Sequence, residues 1–424
     1  MSGLLGSLQS ARSGMSVSQA SIQTTSHNIN NLNTPGYSRQ RVEQSARSAY
    51  SYPGYNSTLG AGQLGTGVEA TDVVRIRNSF YDFQYRNESH TYGEIGVKYD
   101  HYTTMENIFN EPSETGISSS INNFFTSWHE LSKNPGDKGA KDIVIQNSEY
   151  LANNISNVYK KLDNLGGDAQ KKLNENLEEI NGMLKQLNDL EKNIKIVQGS
   201  GKSPNDLMDE RDKILDDLSF KMNTQDENVQ NLLKDKIENG QPITQEELKA
   251  IPGVSGEIKG SLEMIEKIKS YKADLKELSE GISKSVNDTL GIDMFESGTD
   301  PILKVKDDIV NKTTDLEITA ETAEKMYRLK DEKVSIGGED ITINTAYNNI
   351  IQRLGNETQE VRRNEKNQSK ILKEINNSRL NVSGVSLDEE MINLVQYQHA
   401  YNASAKVVST IDSLLDVVIN GLVR

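Results

Sequence analysis

The feature that most constrains this chain is an apolar residue every seven positions at both of its ends. Two rows with this spacing run through the first part of the chain. The first contains Leu8, Met15, Ile22 and Ile29, and the second contains Leu4, Ala11, Ser18, Thr25 and Leu32. Together they are the a and d positions of one amphipathic helix, from about residue 4 to about residue 33. Such a helix would be about 45 Å long at 1.5 Å per residue.

The last part of the chain repeats the spacing more strongly. Its row contains Leu387, Leu394, Tyr401, Val408, Leu415 and Leu422, and Met391 is among the apolar residues that widen it. The spacing predicts a C-terminal helix of about 36 residues, which would be about 54 Å long. Both ends of the chain are therefore predicted to be long amphipathic helices.

In an ordinary globular protein each stripe would pack on the core of its own monomer. Here both helices lie at the extreme ends, and pairing two helices buries only one seam between them. We therefore hypothesise that neighbouring copies or other subunits cover the remaining apolar faces. The predicted subunit-packing residues are Leu4, Leu8, Met15, Ile22, Ile29 and Leu32 at the start, and Leu387, Met391, Leu394, Tyr401, Val408, Leu415 and Leu422 at the end.

The stretch "HNINNLNTPGYSRQ", residues 27–40, predicts where the first helix ends. Thr34 precedes a proline and is therefore disfavoured in the α region. Pro35 and Gly36 suit the two central positions of a type II turn. The asparagines before them accept left-handed backbone angles and can bond free backbone groups at a helix end. The helix is therefore expected to stop at a fixed place.

The rest of the chain predicts a mainly α fold, with a terminal coiled coil, an elongated helical bundle, a short β element and a small α+β insertion. In "GVEATDVVRI", residues 67–76, alternation predicts a strand with Arg75 on its exposed face. "SPNDLMDERDKILDDLS" predicts a helix capped by Ser203, and "SLDEE" a capping box formed by Ser386 and Glu389. "DLEIT", residues 315–319, and "KVSIGGEDITINT", residues 333–345, are strand signals, the second with a hairpin turn at Gly337 and Gly338.

Four predicted regions follow. Residues 1–40 with 381–424 form the terminal coiled-coil domain. Residues 41–222 with 262–290 and 346–380 form an elongated helical domain with a short β-hairpin near 60–76. Residues 223–261 are a short helical insertion, and residues 291–345 a small mixed α+β segment.

Composition excludes several classes of function. The net charge of -15 argues against nucleic acid binding, which needs a basic surface. No run of about 18 apolar residues exists for membrane insertion. The absence of cysteine removes disulfides, thiolate catalysis and cysteine-based zinc sites. The first residues lack the basic and apolar regions of a cleaved secretory signal, so we expect retention in the cell or export by another route.

No pattern of catalytic or cofactor-binding residues is convincing. Gly60, Gly62 and Gly65 match G-x-G-x-x-G, but neither the strand nor the helix of a dinucleotide site flanks them. The five histidines are scattered without the spacing of a metal-binding helix. The acidic residues from Asp206 to Asp212 suit the first turns of a helix, and pairing of Asp209 or Asp212 with Arg211 or Lys213 is expected rather than catalysis. We predict no enzyme activity, no cofactor and no metal.

The motifs at both ends, with "SPNDLMDERDKILDDLS" between them, resemble those of the axial proteins of the bacterial flagellum, which are rod, hook and hook-associated subunits. The N-terminal signature corresponds to Asn30, Asn33, Thr34, Pro35, Gly36 and Tyr37, and the C-terminal one to residues 383–390. The internal motif favours a hook-associated junction subunit. The likeness covers roughly residues 1–220, 262–295 and 346–424.

The resemblance implies a ring of copies between hook and filament, in contact with the hook protein and a second junction protein. It also implies an export chaperone, export without a cleaved signal through the flagellar type III channel, and an extracellular location on the flagellum. One departure is size, because residues 223–261 are short and helical where the family usually has a large β-rich outer region. The alternatives are a distal rod or hook axial subunit, an intracellular coiled-coil scaffold, and a nucleotide-dependent enzyme.

Overall fold

A computed structural model describes residues 2–48, 65–311 and 318–421 of the chain. The predicted mainly α fold is confirmed. In these ranges the helices are α1 Ser2–Asn30, α2 Ser79–Phe109, α3 Ile117–Lys133, α4 Lys138–Gly199, α5 Asn205–Lys221, α6 Glu227–Asn239, α7 Gln245–Ala250, α8 Glu257–Leu290, α9 Asp307–Val310, α10 Ala320–Arg328, α11 Ile343–Ser383 and α12 Leu387–Gly421.

Six short strands form three separate antiparallel pairs in the described residues. The strands are β1 Gln40–Ala46, β2 Val68–Arg75, β3 Phe295–Ser297, β4 Leu303–Val305, β5 Val334–Ile336 and β6 Glu339–Ile341. β1 pairs with β2, β3 with β4 and β5 with β6. We call α1, β1, β2 and α12 the terminal unit, and residues 79–383 the helical body.

The helical body is built along α4, which has 62 residues and is therefore about 93 Å long. Helices α3, α5 and α8 pack on α4, and α2 packs between α8 and α11. The aromatic centre is Phe124, whose ring centroid lies 5.1 Å from that of Phe125, 6.2 Å from Trp128 and 5.9 Å from Phe295. Helices α2 and α8 approach closely, because a Cβ at Gly260 would lie 2.7 Å from the carbonyl oxygen of Glu94.

The hydrophobic core does not extend into the terminal unit. Among the described residues, the connected core runs from Tyr102 to Leu354 and contains no residue of α1, β1, β2 or α12. In the terminal unit α1 packs along α12 on one side and on β1 and β2 on another. The two parts are therefore connected by something other than shared apolar packing.

The turn predicted to stop the first helix at Pro35 and Gly36 is confirmed, although the helix ends three residues before the predicted residue 33. α1 ends at Asn30, and the Tyr37 amide donates to the Thr34 carbonyl at 3.2 Å across a turn centred on Pro35 and Gly36. Gly36 has φ +85°, which is the value that a type II turn requires at this position.

The predicted strand in residues 67–76 is confirmed as β2, but its partner is not in the 60–76 region. β1 lies at residues 40–46 and contributes one buried apolar residue, Val42. A sequence as polar as "QRVEQSA" gives no strand signal, so the pairing was missed. Residues 49–64, which include Gly60 and Gly62, lie outside the described residues.

Three local predictions are corrected. Arg75 is half-buried rather than exposed, because its guanidinium pairs with carboxylates of α5. Ser203 does not cap α5, since its hydroxyl donates to Asp72 Oδ2 at 2.6 Å and the cap position is Pro204. Glu389 was expected in a capping box, and its carboxylate instead accepts a hydrogen bond from Arg39.

The region from residue 291 to residue 345 contains short hairpins. The predicted turn at Gly337 and Gly338 is confirmed, with φ +60° and +85°, as a two-residue hairpin of this type requires. The β3 and β4 pair was not predicted. The signal in residues 315–319 falls mostly on 312–317, which lie outside the described residues.

Candidate functional site

The candidate site consists of the terminal helix pair and the polar cluster that connects the terminal unit to the helical body. Helix α1 buries a face of small and polar residues. These are Ser13, Val17, Ser18, Ser21, Thr25 and Asn28. Ser13 Oγ accepts from the Val68 amide at 3.1 Å. A Cβ at Gly14 would lie 3.2 Å from Ser404 Oγ, so small residues let α1 approach α12 closely.

The predicted apolar stripe of α1 is therefore not the face that the molecule buries most. Leu4, Leu8, Met15, Ile22 and Ile29 are half-buried, and Leu32 is exposed. The small row that contains Ser18 and Thr25 looked weak as a packing surface. Ser18 and Thr25 are nevertheless buried, on a helix that packs against α12 and against the strands β1 and β2.

One side of α12 packs along α1, and the rest of its surface is exposed. Four of its predicted residues, Leu394, Tyr401, Val408 and Leu415, are half-buried, while Leu387 and Met391 are exposed. Leu422 lies outside the described residues. The exposed large apolar residues of α12 are Leu387, Met391, Ile392, Val395, Val407, Leu414, Val417 and Ile419. Since Ile392 is 67% exposed and Val417 64%, α12 carries apolar side chains that its own chain does not cover.

A helix that is apolar on nearly all sides is normally buried on all sides. Sequence periodicity identified the residues of α12 but not which of them α1 would cover. The missed residues, such as Ile392 and Val417, lie outside the seven-residue row. A signal existed in their sequence, because they are apolar at positions where a half-buried helix usually carries polar residues.

The N-terminal motif lies at the contact between the two parts. Asn30, Asn33, Thr34, Pro35 and Gly36 are exposed, and Tyr37 is half-buried. A Cβ at Gly36 would lie 3.2 Å from Lys213 Cβ on α5. The Tyr37 hydroxyl donates to Asn28 Oδ1 at 2.8 Å. Burial and the nearby carboxylates of Asp206, Asp209 and Glu390 raise the pKa of Tyr37, which therefore remains a neutral donor.

Asn28 is the central residue of this contact. Its Nδ2 donates to the Gln40 carbonyl at 2.9 Å, and its Oδ1 accepts from the Gln40 amide at 2.9 Å. Its Nδ2 also donates to Glu390 Oε2 at 3.1 Å. The side chain thus bonds α1, β1 and α12 together.

The C-terminal motif reaches the same place through Arg39. The Arg39 Nε donates to Glu390 Oε1 at 2.7 Å, and its Nη1 to Glu389 Oε2 at 2.7 Å. The Arg39 amide donates to the Ser383 carbonyl at 2.9 Å. Glu390 is only 2% exposed, so its charge depends on Arg39 for compensation.

Helix α5 supplies the third motif. The Ser38 amide and hydroxyl both donate to the Asp209 carboxylate, at 2.9 Å and 2.6 Å. The Asn205 Nδ2 donates to the Val73 carbonyl of β2 at 2.6 Å. Gln40 Nε2 donates to Asp206 Oδ1 at 2.9 Å. Three motifs that are far apart in sequence therefore meet at one contact.

Behind this contact lies a cluster of paired charges, which we call the ionic joint. Its members are Arg75, Arg77, Asp82, Arg86, Asp209, Asp212, Asp216 and Arg379. Arg75 Nη1 lies 2.7 Å from Asp209 Oδ1 and 2.8 Å from Asp212 Oδ2. Arg86 Nε and Arg379 Nη1 lie 2.7 Å from the two oxygens of Asp216. The joint thus links β2, α2, α5 and α11.

The charges of the ionic joint are mostly buried and hold one another ionised. Burial by itself would raise the pKa of Asp212, but the surrounding guanidinium groups, led by that of Arg77, outweigh it and lower the pKa. Burial would lower the pKa of Arg77, and the carboxylates of Asp82 and Asp212 instead raise it. The predicted pairing of Asp212 with Arg211 is confirmed at 2.9 Å, whereas Asp209 pairs with Arg75.

The ionic joint is suited to holding β2, α2, α5 and α11 together, and the exposed apolar side chains of α12 are suited to contact with another surface. In residues 2–48, 65–311 and 318–421, no three His, Asp or Glu side chains are grouped so that they could hold a metal ion. Among the helices of the described chain, none has both the length and the apolar character needed to cross a membrane.

Three sequence profiles match separate segments of the chain. A profile described as the flagellar hook-associated protein FlgK helical domain matches residues 102–250. Profiles described as the flagellar basal body rod FlgEFG protein C-terminal and as the flagella basal body rod protein match residues 376–421 and 8–37. The matched segments include α12 and most of α1.

Individual relatives align along nearly the full length. The flagellar hook-associated protein 1 of Bacillus subtilis is 30% identical over 98% of this chain and 98% of its own length. The protein of the same name from Salmonella typhimurium is 24% identical over 97% of this chain and 98% of its own length. The structure of the flagellar hook junction protein FlgK from Burkholderia pseudomallei aligns with 51% of this chain and 46% of its own, at 17% identity and a TM-score of 0.41. The two sequence alignments run over 499 and 560 residues, so these relatives contain segments that this chain of 424 residues lacks.

Proposed function

The chain belongs to the flagellar hook-associated protein 1 family, and from this premise we propose that it is a structural subunit of the hook–filament junction of the bacterial flagellum. Copies form a ring through α1 and α12, and filament assembly requires the ring. The observation that carries the proposal is the apolar surface of α12 that its own chain leaves exposed.

The energetics of this surface favour assembly. Fully burying a large apolar side chain stabilises by about 1.5–3 kcal/mol. The eight exposed large apolar residues of α12, from Leu387 to Ile419, are each roughly half exposed. Covering all of them would contribute roughly 6–12 kcal/mol per copy to the free energy of association, before the cost of ordering the partners. That gain is large enough to drive association, and it requires a second surface, which in a ring is supplied by the neighbouring copy.

The ionic joint supports the role of an adaptor. A part between two different structures must transmit force from its assembled terminal helices to its outer body. Here the connection consists of hydrogen bonds and ion pairs across β2, α2, α5 and α11. Such contacts have defined geometry, so they hold the body in a set orientation relative to the helix pair.

The remaining parts of the proposal come from the family. We propose that the partners are neighbouring copies, the hook protein and a second junction protein, and that an export chaperone accompanies the chain before assembly. We also propose export without a cleaved signal and a location outside the cell. The proposed role is mechanical and needs no catalytic residue or cofactor.

For domain organisation we propose the division made from the sequence, with one refinement. Residues 1–40 with 381–424 form the terminal domain, and 223–261 and 291–345 are insertions in the helical domain. Because β1 and β2 pack on α1, residues 41–48 and 65–76 are better grouped with the terminal domain.

A double substitution on the exposed face of α12 tests the proposed function. Val407→Asp with Leu414→Asp places charges on a surface that the isolated chain leaves in water, so the monomer should fold normally. We expect loss of filaments and motility, measured by electron microscopy and swimming assays, with the circular dichroism of the purified chain unchanged. The control is Ile196→Asp, at a residue of α4 that is 72% exposed, which should swim normally.

Full motility in the α12 double variant would refute assembly through this face. Labelled antibody on isolated flagella separates the proposal from its alternative. Label between hook and filament supports the junction, and label along the rod or hook supports a distal rod or hook axial subunit.

A further inference from the structure

The first turns of α2 carry an aromatic pair whose exposure is unusual for this chain. All seven phenylalanines lie in the described residues. Phe109, Phe124, Phe125 and Phe295 are buried, and Phe220 is half-buried with its ring against those of Tyr85 and Tyr92. Phe80 and Phe83 are 59% and 51% exposed. They are three residues apart in one helix and therefore share a face.

The face around this pair is uncharged. Gln84 and Asn87 continue it at helical spacing. The neighbouring charges are turned elsewhere, since Asp82 pairs with Arg77, Arg86 with Asp216, and Glu88 accepts a hydrogen bond from Gln368. A partner recognised by charge would need a charged rim here. Copies of a chain with net charge -15 repel one another, so a contact between copies is easiest through a neutral, apolar face.

The pair is too small to form an interface alone. Two half-exposed phenylalanine rings offer roughly 200 Å², whereas a stable interface buries about 800 Å² per partner. The exposed start of α12 lies nearby. Ile76, four residues before Phe80, lines the same small cavity as Asn393 and Tyr397 of α12.

Arg379 Nε of α11 lies 3.8 Å from Asp82 Oδ1, beside the pair. One turn further along α11, the Ser383 carbonyl accepts from the Arg39 amide, and Arg39 Nη1 lies 2.7 Å from Glu389 Oε2 at the start of α12. This series of contacts joins the first turns of α2 to the exposed start of α12.

We infer that Phe80 and Phe83 are aromatic anchors through which the helical body of one copy contacts the neighbouring copy in the ring. The inference rests on the proposed function and extends it, because it places a copy–copy contact in the helical body as well as in the terminal helices. Aromatic residues, phenylalanine among them, are enriched at protein interfaces relative to the rest of the surface.

Photo-crosslinking in flagellated cells tests the anchors directly. A benzophenone analogue of phenylalanine replaces Phe83 in the full chain, and in separate strains replaces Leu414 on α12 and Ile196 on α4. After irradiation, isolated flagella are probed for adducts of this chain. The expected result is an adduct of two copies at position 83 and at position 414, and none at position 196.

Two results would overturn the inference that Phe80 and Phe83 contact a neighbouring copy, while leaving the proposed function intact. One is an adduct of two copies at position 414 with none at position 83. The other is an adduct at position 83 only with a different flagellar protein. Absence of the chain from flagella in all strains would overturn the proposed function and the anchors with it.

A matched pair of variants provides a second measurement. Phe80→Ser with Phe83→Ser removes both rings, and Ile143→Ser with Ile196→Ser removes two exposed apolar residues from α4. All four side chains are more than half exposed, so both variants should keep the circular dichroism of the parent. At least a fivefold drop in filaments per cell is expected for the phenylalanine variant alone. Equal filament numbers in the two variants would overturn the inference.

Discussion

At the end of α1, two residues have backbone or bonding requirements that few substitutes meet. Asn28 uses both its amide group and its carbonyl group to bond Gln40, and an aspartate could not donate in this way. Gly36 has φ +85° and lies against the side chain of Lys213. The first requirement is chemical and the second is conformational, and both fix the point at which the chain leaves the helix.

Gly36→Ala should destabilise the terminal unit. A left-handed backbone at a residue with a Cβ costs of order 1–3 kcal/mol, and that Cβ would also lie 3.2 Å from Lys213 Cβ. We expect a loss of about 2 kcal/mol in the free energy of unfolding of the terminal unit, measured by thermal denaturation followed by circular dichroism. The control is Gly182→Ala inside α4, where a Cβ meets nothing within 4 Å and should stabilise by about 0.5–1 kcal/mol. A Gly36→Ala protein as stable as the parent would show that the turn is not required.

Among the elements, α5 is the one that joins the terminal unit to the helical body. Its carboxylates accept from the backbone of residue 38 and from the Arg75 guanidinium of β2, which are the contacts to the terminal unit. Within the helical body they also pair with Arg86 and Arg379. Its apolar residues, such as Leu218, belong to the core of the body. One face of the helix is therefore bonded to the terminal unit through charges, and the other is packed by apolar contact.

The charges of α5 predict an acid-sensitive connection. The pKa of Asp212 is lowered in the folded protein, so the carboxylate stabilises the fold above its unfolded pKa of about 3.9. This stabilisation is lost as the pH falls through the folded pKa. Stability should therefore begin to fall once the pH drops below the unfolded value of about 3.9. Asp212→Asn should lose roughly 3 kcal/mol at pH 7 and show a shallower pH dependence in urea denaturation.

The control for this measurement is Asp189→Asn, at an exposed acid on α4. It should change neither the stability at pH 7 nor the slope below pH 4. An Asp212→Asn protein with the slope of the parent would show that the ionic joint does not govern acid stability.

At the scale of the whole molecule, two separate sets of packed residues are connected by polar contacts. The body has a continuous core from Tyr102 to Leu354. The terminal unit has one helix seam and a two-stranded sheet, with few buried large side chains, such as Val17, Val42 and Ile411. Since stability scales with buried apolar area, the terminal unit should be the weaker part.

We expect two transitions when the isolated full-length chain is heated in a scanning calorimeter. The lower one corresponds to the terminal unit and the upper one to the helical body, because no apolar core joins the two in the part of the chain that the structure describes. Gly36→Ala should lower the first transition and leave the second in place. A single transition that shifts as a whole in the Gly36→Ala protein would contradict the separation into two parts.

The helices and the turn at Pro35 and Gly36 could be predicted because their causes are local. A seven-residue spacing and a Pro-Gly pair act over a few residues, so they can be read without knowing the rest of the fold. β1 could not be predicted, since its polar sequence becomes a strand only when β2, some thirty residues later, pairs with it. The prediction that Arg75 lies on the exposed face of its strand was wrong for a related reason. The carboxylates that pair with Arg75 are more than a hundred residues away in the sequence.

The sequence by itself determined that both ends are long helices with apolar stripes and that a turn at Pro35 and Gly36 stops the first of them. Only the tertiary structure decided which face of each terminal helix is covered and how three distant motifs meet. Arg39 and Glu390 are 351 positions apart, and no periodicity relates them. Helical spacing shows what a helix can bury, whereas the neighbour that covers it is selected by contacts across the whole chain. For the open face of α12 we propose that this neighbour is another copy.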